Sequence, residues 1–103
     1  MSPAEVVDAL VKRPAMYFGN RPGYLREMIA FQLGADFGLD GVKKSESVIP
    51  EAFVRFICAR VPAGKFLGPS WSGRLEDATH SEEEAWELFV RLWTEFRDGE
   101  QVA

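Results

Sequence analysis

A chain of 103 residues, 47% hydrophobic and 13% aromatic, is too apolar to remain disordered and has room for one domain, 1–103, but no second. Its net charge of −4 is opposite in sign to the electrostatic footprint of a nonspecific nucleic-acid binder; it suits a soluble protein or one that docks on a basic partner. Cys58 is the single cysteine, which excludes an intramolecular disulfide and a cysteine-built zinc site and fits a reducing compartment.

The first predicted helix covers residues 3–12. Ser2 is its cap, Pro3 sits at the first helical position, and Glu5 closes a capping box three residues on. Val6, Val7, Leu10 and Val11 recur at helical spacing, with Glu5, Asp8 and Lys12 on the other face. Pro3, Glu5 and Asp8 interrupt any apolar run, so neither a secretory signal nor a membrane span is expected, and the cytoplasm is the expected location.

Residues 12–19, Lys-Arg-Pro-Ala-Met-Tyr-Phe-Gly, form the corner on which the rest is organised. Pro14 lacks an N–H and pushes Arg13 out of helical geometry, so the first helix stops there, and Gly19 permits a turn closed to other residues. Met16, Tyr17 and Phe18 between them are each worth roughly 1.5–3 kcal/mol when buried, which predicts a loop that plugs the core.

After Pro22-Gly23, residues 24–37 put Leu25, Met28, Ile29, Leu33 and Phe37 on one stripe of a second helix. Gly34 within it costs about 1 kcal/mol relative to alanine and suggests close approach of another backbone. Gly38 and Gly41 are expected to end the helix, with a polar loop over residues 40–47. Pro50 restarts the pattern: Phe53, Val54, Ile57 and Val61 line a third helix that Pro62 terminates. Residues 63–80 read as a packed loop anchored by Trp71, with one short helical turn near residues 73–78.

The last helix, 82–97, has a second capping box in Ser81 and Glu84. Glu82, Glu83 and Glu84 complement its positive dipole end, and Ala85, Trp86, Phe89, Leu92, Trp93 and Phe96 make a wide apolar stripe, central to the core or covering a partner. Asp98-Gly99 is expected to close it and residues 100–103 to fray.

Five groups of residues are candidate sites. His80, the sole histidine, has no serine, cysteine or carboxylate arrangement at local spacing, so a surface or cap position is expected. Cys58 lacks a basic partner or helix N-terminus to activate its thiol and reads as inert and buried. The run Glu82, Glu83 and Glu84 is explained by capping and is compatible with attracting a basic protein, and Trp71, Trp86 and Trp93 are core anchors unless one is exposed, when it marks an interface. Lys12, Arg13, Arg21 and Arg26, interleaved with Tyr17 and Tyr24, are the most basic stretch and suit either phosphate or nucleic-acid contact or internal salt bridges.

Residues 13–19 also carry two resemblances. They look like the Arg-Pro-Gly-Met-Tyr-Ile-Gly segment near the start of the ATPase subunit of bacterial DNA gyrase, with Ala15 in place of glycine; no downstream magnesium and adenine pattern or glycine-rich lid follows, so ATP hydrolysis is not implied. Taken with residues 25–37, 53–61, Trp71 and 82–96, the corner resembles small uncharacterised bacterial proteins similar in size, acidity and style to immunity proteins that neutralise polymorphic toxins. That likeness implies an inhibitor that occludes a basic toxin domain and carries over no site residues.

The sequence thus predicts a mainly α-helical single domain of about four helices, with a Trp71-anchored loop before the last. Without a catalytic constellation, the expected function is non-enzymatic protein binding of the immunity type through Glu82, Glu83, Glu84 and Trp71, with no metal and no cofactor. Two other readings stay open: a nucleotide- or nucleic-acid-associated accessory protein using Lys12, Arg13, Arg21 and Arg26, and a homodimeric structural or regulatory subunit paired through the aromatic helix.

Overall fold

A computed structural model describes the backbone of residues 2–40, 49–65 and 70–102, and the side chains of all of these but 35–40 and 100–102. The described residues form six α-helices and no strand, so the mainly helical class holds while the number of helices rises from about four. The two additional helices are both short.

Local signals set the first helix, α1 (Pro3–Lys12), within the expected bounds. The Ser2 hydroxyl accepts from the Glu5 N–H at 3.3 Å while the Glu5 carboxylate accepts from the Ser2 N–H at 3.3 Å, a complete capping box. The Ser2 N–H, followed by the Ser2 hydroxyl, holds the Glu5 carboxyl below its ordinary range. A folded-state value below the unfolded one means that the box contributes above the ordinary glutamate range and is lost as pH falls through the lowered value. Acid titration of the α1 amide signals should therefore report a first turn loosening at acid pH, and Glu5→Gln should remove that step.

Pro14 does more than end α1. It occupies the first position of α2 (Pro14–Phe18), a single turn capped by Arg13 and closed by Gly19 at φ 82°, whose N–H donates to the Ala15 carbonyl at 3.0 Å. The corner is therefore helical, and it does not plug the core: Met16 is 69% and Tyr17 55% exposed. One turn of helix cannot point three consecutive side chains the same way. Phe18 takes the inward position, against Tyr24 at 6.2 Å and Phe31 at 6.5 Å.

The next helix, α3 (Leu25–Asp40), buries Leu25 and Met28 and continues through Gly34 and Gly38, three residues beyond the expected end. Leu33, expected on its apolar stripe, is 62% exposed. Gly34 is no point of close approach either, since a Cβ built on it meets nothing within 4 Å. Gly34→Ala should accordingly stabilise the fold by up to about 1 kcal/mol, the intrinsic helix penalty of glycine, measured by urea unfolding. The Phe37 side chain and residues 41–48, including most of the expected polar loop, lie outside the described residues.

Pro50 is the cap of α4 (Glu51–Arg60), which buries Phe53 and Ile57 and stops at Val61 before Pro62, as expected. Its last turn is held by Arg74, whose guanidinium donates to the Val61 carbonyl at 2.9 Å. Arg74 belongs to α5 (Trp71–Asp77), which replaces much of the expected loop: the Ser70 hydroxyl caps it by accepting from the Gly73 N–H at 3.1 Å, and Trp71, Gly73 and Leu75 are buried. Residues 66–69 lie outside the described residues.

The core is organised along α6 (Glu82–Val102), which buries Ala85, Trp86, Phe89, Leu92 and Trp93. It runs past Asp98-Gly99, because Gly99 does not take the left-handed conformation that would end it; residues 100–102 remain helical. Phe53 of α4 lies against Trp93 at 4.7 Å, Phe96 at 5.2 Å and Phe89 at 5.6 Å, and Tyr24 packs edge-on to Trp86 at 5.5 Å.

Asp8 of α1 accepts from the Trp93 indole N–H at 2.7 Å and from the Arg97 guanidinium at 2.9 and 3.2 Å. The ion pair is partly exposed, so its charge adds little. The indole N–H matters more, since Trp93 is buried and would lose its acceptor. Asp8→Ala is expected to cost about 1–2 kcal/mol in urea unfolding, and Asp8→Asn, which keeps an acceptor, less. Among the described residues no helix is long and apolar enough to cross a membrane.

Candidate functional site

Two chain segments far apart in sequence meet where α3 begins and where the α5–α6 connection enters α6. At the end of α5 the Thr79 hydroxyl donates to the Leu75 carbonyl at 2.8 Å, turning the chain out of the helix. His80 follows, and Ser81 caps α6 by accepting from the Glu84 N–H at 3.1 Å. The expected second capping box forms with a shift of one residue: the Glu84 carboxylate accepts from the His80 N–H at 2.8 Å, one position ahead of Ser81. From the other side comes Gly23, immediately before α3. A Cβ built there would stand 2.5 Å from the Glu82 carbonyl oxygen and 2.9 Å from the Glu83 nitrogen. The loop entering α3 thus rests directly on the first peptides of α6.

Beside this contact lies a recess of about 200 Å³, partly open to solvent. Leu25 and Ala85 lie at its base but, at 0% and 2% exposed, present almost no surface to it. Its walls are Arg26 of α3, Glu76 and Thr79 from the end of α5, and His80, Ser81 and Glu82 at the start of α6. Glu76 and Glu82 are half-buried, and among the described residues their carboxylates make no ion pair. A second, more open hollow of about 200 Å³ between α1 and the end of α6 is lined by the Asp8, Trp93 and Arg97 group together with Lys12. Those residues already serve to hold α1 in place.

The chain matches no family model, no curated protein and no solved structure. The site is read from its own geometry.

Of the acidic candidates, Glu82 stands in the recess, while Glu83 and Glu84 are exposed on the first turn of α6. Trp71 is not on the surface: it is buried against Phe89 at 5.7 Å, because its position at the start of α5 directs it onto α6. It fulfils the anchor role expected of it and leaves direct contact with a partner to other residues.

The four basic candidates have different surroundings. Arg21 is held inside the corner, its guanidinium 3.1 Å from Glu27 and 3.4 Å from the Phe18 carbonyl. Arg26 lines the recess, Lys12 borders the α1–α6 hollow, and Arg13 is exposed between α1 and α2. His80 is exposed in the recess wall with Glu76 and Glu82, and Cys58 is a half-buried free thiol on α4. Among the described residues no three of His, Cys, Asp and Glu gather as metal ligands.

Two features escaped sequence reasoning. Glu76 and Thr79 join the recess only through the path of α5, which no local spacing encodes. The exposure of Met16 and Tyr17 had a local signal: a proline in the first helical position of a segment ended by glycine allows one helical turn, and one turn buries one bulky residue in three.

Proposed function

We infer that the chain is a non-enzymatic protein-binding module, in its most concrete form a cytoplasmic immunity-type inhibitor that covers a basic domain of a bacterial toxin. The observation that carries protein binding is the exposure of Met16 and Tyr17 on a corner that is otherwise tied down. Phe18 packs on Tyr24, the Arg21 N–H donates to the Tyr24 hydroxyl at 3.2 Å, and the Arg21 guanidinium is paired with Glu27. Large apolar side chains held out in water on an ordered frame mark a contact surface, and tyrosine, methionine and arginine are the residues enriched in such surfaces.

The charge of the partner follows from the start of α6. Glu83 and Glu84 are exposed and Glu82 half-exposed on one helical turn of a chain with net charge −4, which suits steering of a basic surface. The dimer reading is less favoured, since Trp86, Phe89, Leu92 and Trp93 of α6 are buried within the chain itself. The nucleic-acid reading is less favoured, since the Arg21 guanidinium is already paired with Glu27 and the net charge is −4.

Binding to the product of the neighbouring open reading frame tests this reading. A complex is expected whose association slows as salt rises, and Met16→Asp with Tyr17→Asp should weaken it by roughly a hundredfold, as loss of a central apolar contact does. No complex, or one indifferent to both substitutions, overturns it.

A further inference from the structure

We propose that the Arg21 guanidinium recognises a carboxylate of the partner, beside the apolar contact made by Met16 and Tyr17. This rests on the protein-binding reading and names the chemistry that meets the corner.

Arg21 is anchored at one side-chain atom and open at the others. Its Nε donates to the Phe18 carbonyl at 3.4 Å and lies 3.1 Å from the Glu27 carboxylate. Its backbone N–H is held as well, by the Tyr24 hydroxyl at 3.2 Å. Neither terminal guanidinium nitrogen makes a hydrogen bond among the described residues, and the side chain is 56% exposed. Those two nitrogens form the edge that grips a carboxylate through two parallel N–H···O bonds. Anchoring Nε sets the plane of the group in advance, so less rotamer freedom is lost when that edge is used.

The neighbours decide the kind of occupant. The α2 helix is about 7.5 Å long at 1.5 Å per residue. Arg13 stands at its start, the Arg21 guanidinium lies against the carbonyl of its last residue, and Met16 and Tyr17 are exposed between them. All 16 Asp and Glu residues fall outside residues 9–26. The exposed side chains of Lys12 and Arg13 make no ion pair among the described residues, so an anion at the corner meets positive charge that nothing offsets. Glu27 does offset the charge of Arg21 itself. That suits one carboxylate held by hydrogen bonds and disfavours a nucleic acid, whose affinity comes from excess positive charge.

The acidic start of α6 adjoins this site, because Gly23, two residues after Arg21, rests on its first peptides. The partner's contact face therefore carries a carboxylate opposite the corner and basic groups opposite α6. Turning it round would bring like charges together, so the two signs fix the orientation in which it docks.

The test titrates 3-phenylpropionate, a carboxylate with an apolar tail, and its neutral amide into the full chain. NMR follows the Arg21 side-chain Nε–H, the Met16 methyl and the Tyr17 amide. The carboxylate is expected to shift all three saturably in the millimolar range, and the amide to leave them in place. Arg21→Lys, which keeps the charge but removes the two-donor edge, should weaken the response at Met16 and Tyr17 by at least about fivefold, while Arg91→Lys on α6 should not. The Nε–H signal reads the contact in the unaltered chain, so the outcome does not hang on the variant's folding. Equal response to the two probes, shifts that survive Arg21→Lys, or inorganic phosphate acting on the same signals at lower concentration would each overturn the proposal. Failure of the wider reading is distinguishable. A chain that takes the carboxylate at Arg21 but forms no complex with the neighbouring gene product keeps the site and loses the inhibitor role; a complex indifferent to Arg21→Lys does the reverse.

Discussion

Phe53→Ala is expected to cost about 3–5 kcal/mol, the range for removing a fully buried phenylalanine from a packed core. The ring is 0% exposed and meets Phe56, Phe89, Trp93 and Phe96 at centroid distances of 4.7–6.3 Å, so its loss leaves a cavity bounded by other rings on two helices. Rings held by both α4 and α6 cannot collapse into that space without moving backbone. A domain of this size has a total stability of roughly 5–15 kcal/mol, so the variant should melt more than about 10 °C lower or fail to fold at physiological temperature. Phe56, half-buried one turn along and covered by the Arg60 guanidinium at 4.6 Å, is the comparison. Phe56→Ala should cost clearly less. Equal losses in calorimetry would mean that Phe53 does not hold the centre.

The second large effect is expected at Gly23. An alanine Cβ would lie 2.5 Å from the Glu82 carbonyl oxygen and 2.7 Å from its carbon, and both are backbone atoms that no rotamer change can move. Either the first turn of α6 or the loop entering α3 must shift, which places the cost in the upper part of the roughly 1–3 kcal/mol range for overpacking. Gly23→Ala should also move the amide signals of residues 80–84, where the added Cβ meets the chain. The same glycine-to-alanine change at Gly34, which has free space around it, carries the opposite sign. A Gly23 variant as stable as the parent would mean that the two segments are not in contact.

What the chain disclosed in advance was what short-range chemistry controls. The Ser2–Glu5 box, the stops at Pro14 and Pro62, and the apolar stripe of α6 each depend on residues within a few positions of one another, so spacing alone located them. Gly23 was legible only as a breaker; its actual constraint comes from a carbonyl 59 positions away, in Glu82. The corner was placed correctly as a boundary, but its orientation depended on where Tyr24 and Phe31 would stand to receive Phe18. The same limit applies to the recess. Arg26 and Glu82 were assigned to two rival sites, basic and acidic, and the fold sets them in one wall with His80 and Glu76.

The three tryptophans have a practical consequence. Each reports on a different junction with the long C-terminal helix: Trp93 through its bond to Asp8 of α1, Trp86 through Tyr24 before α3, and Trp71 from α5 through Phe89. Variants keeping one indole at a time would act as three intrinsic fluorophores within a single melt. Coincident midpoints would mean that the neighbouring helices separate from α6 in one cooperative event, and staggered midpoints would give the order in which they leave.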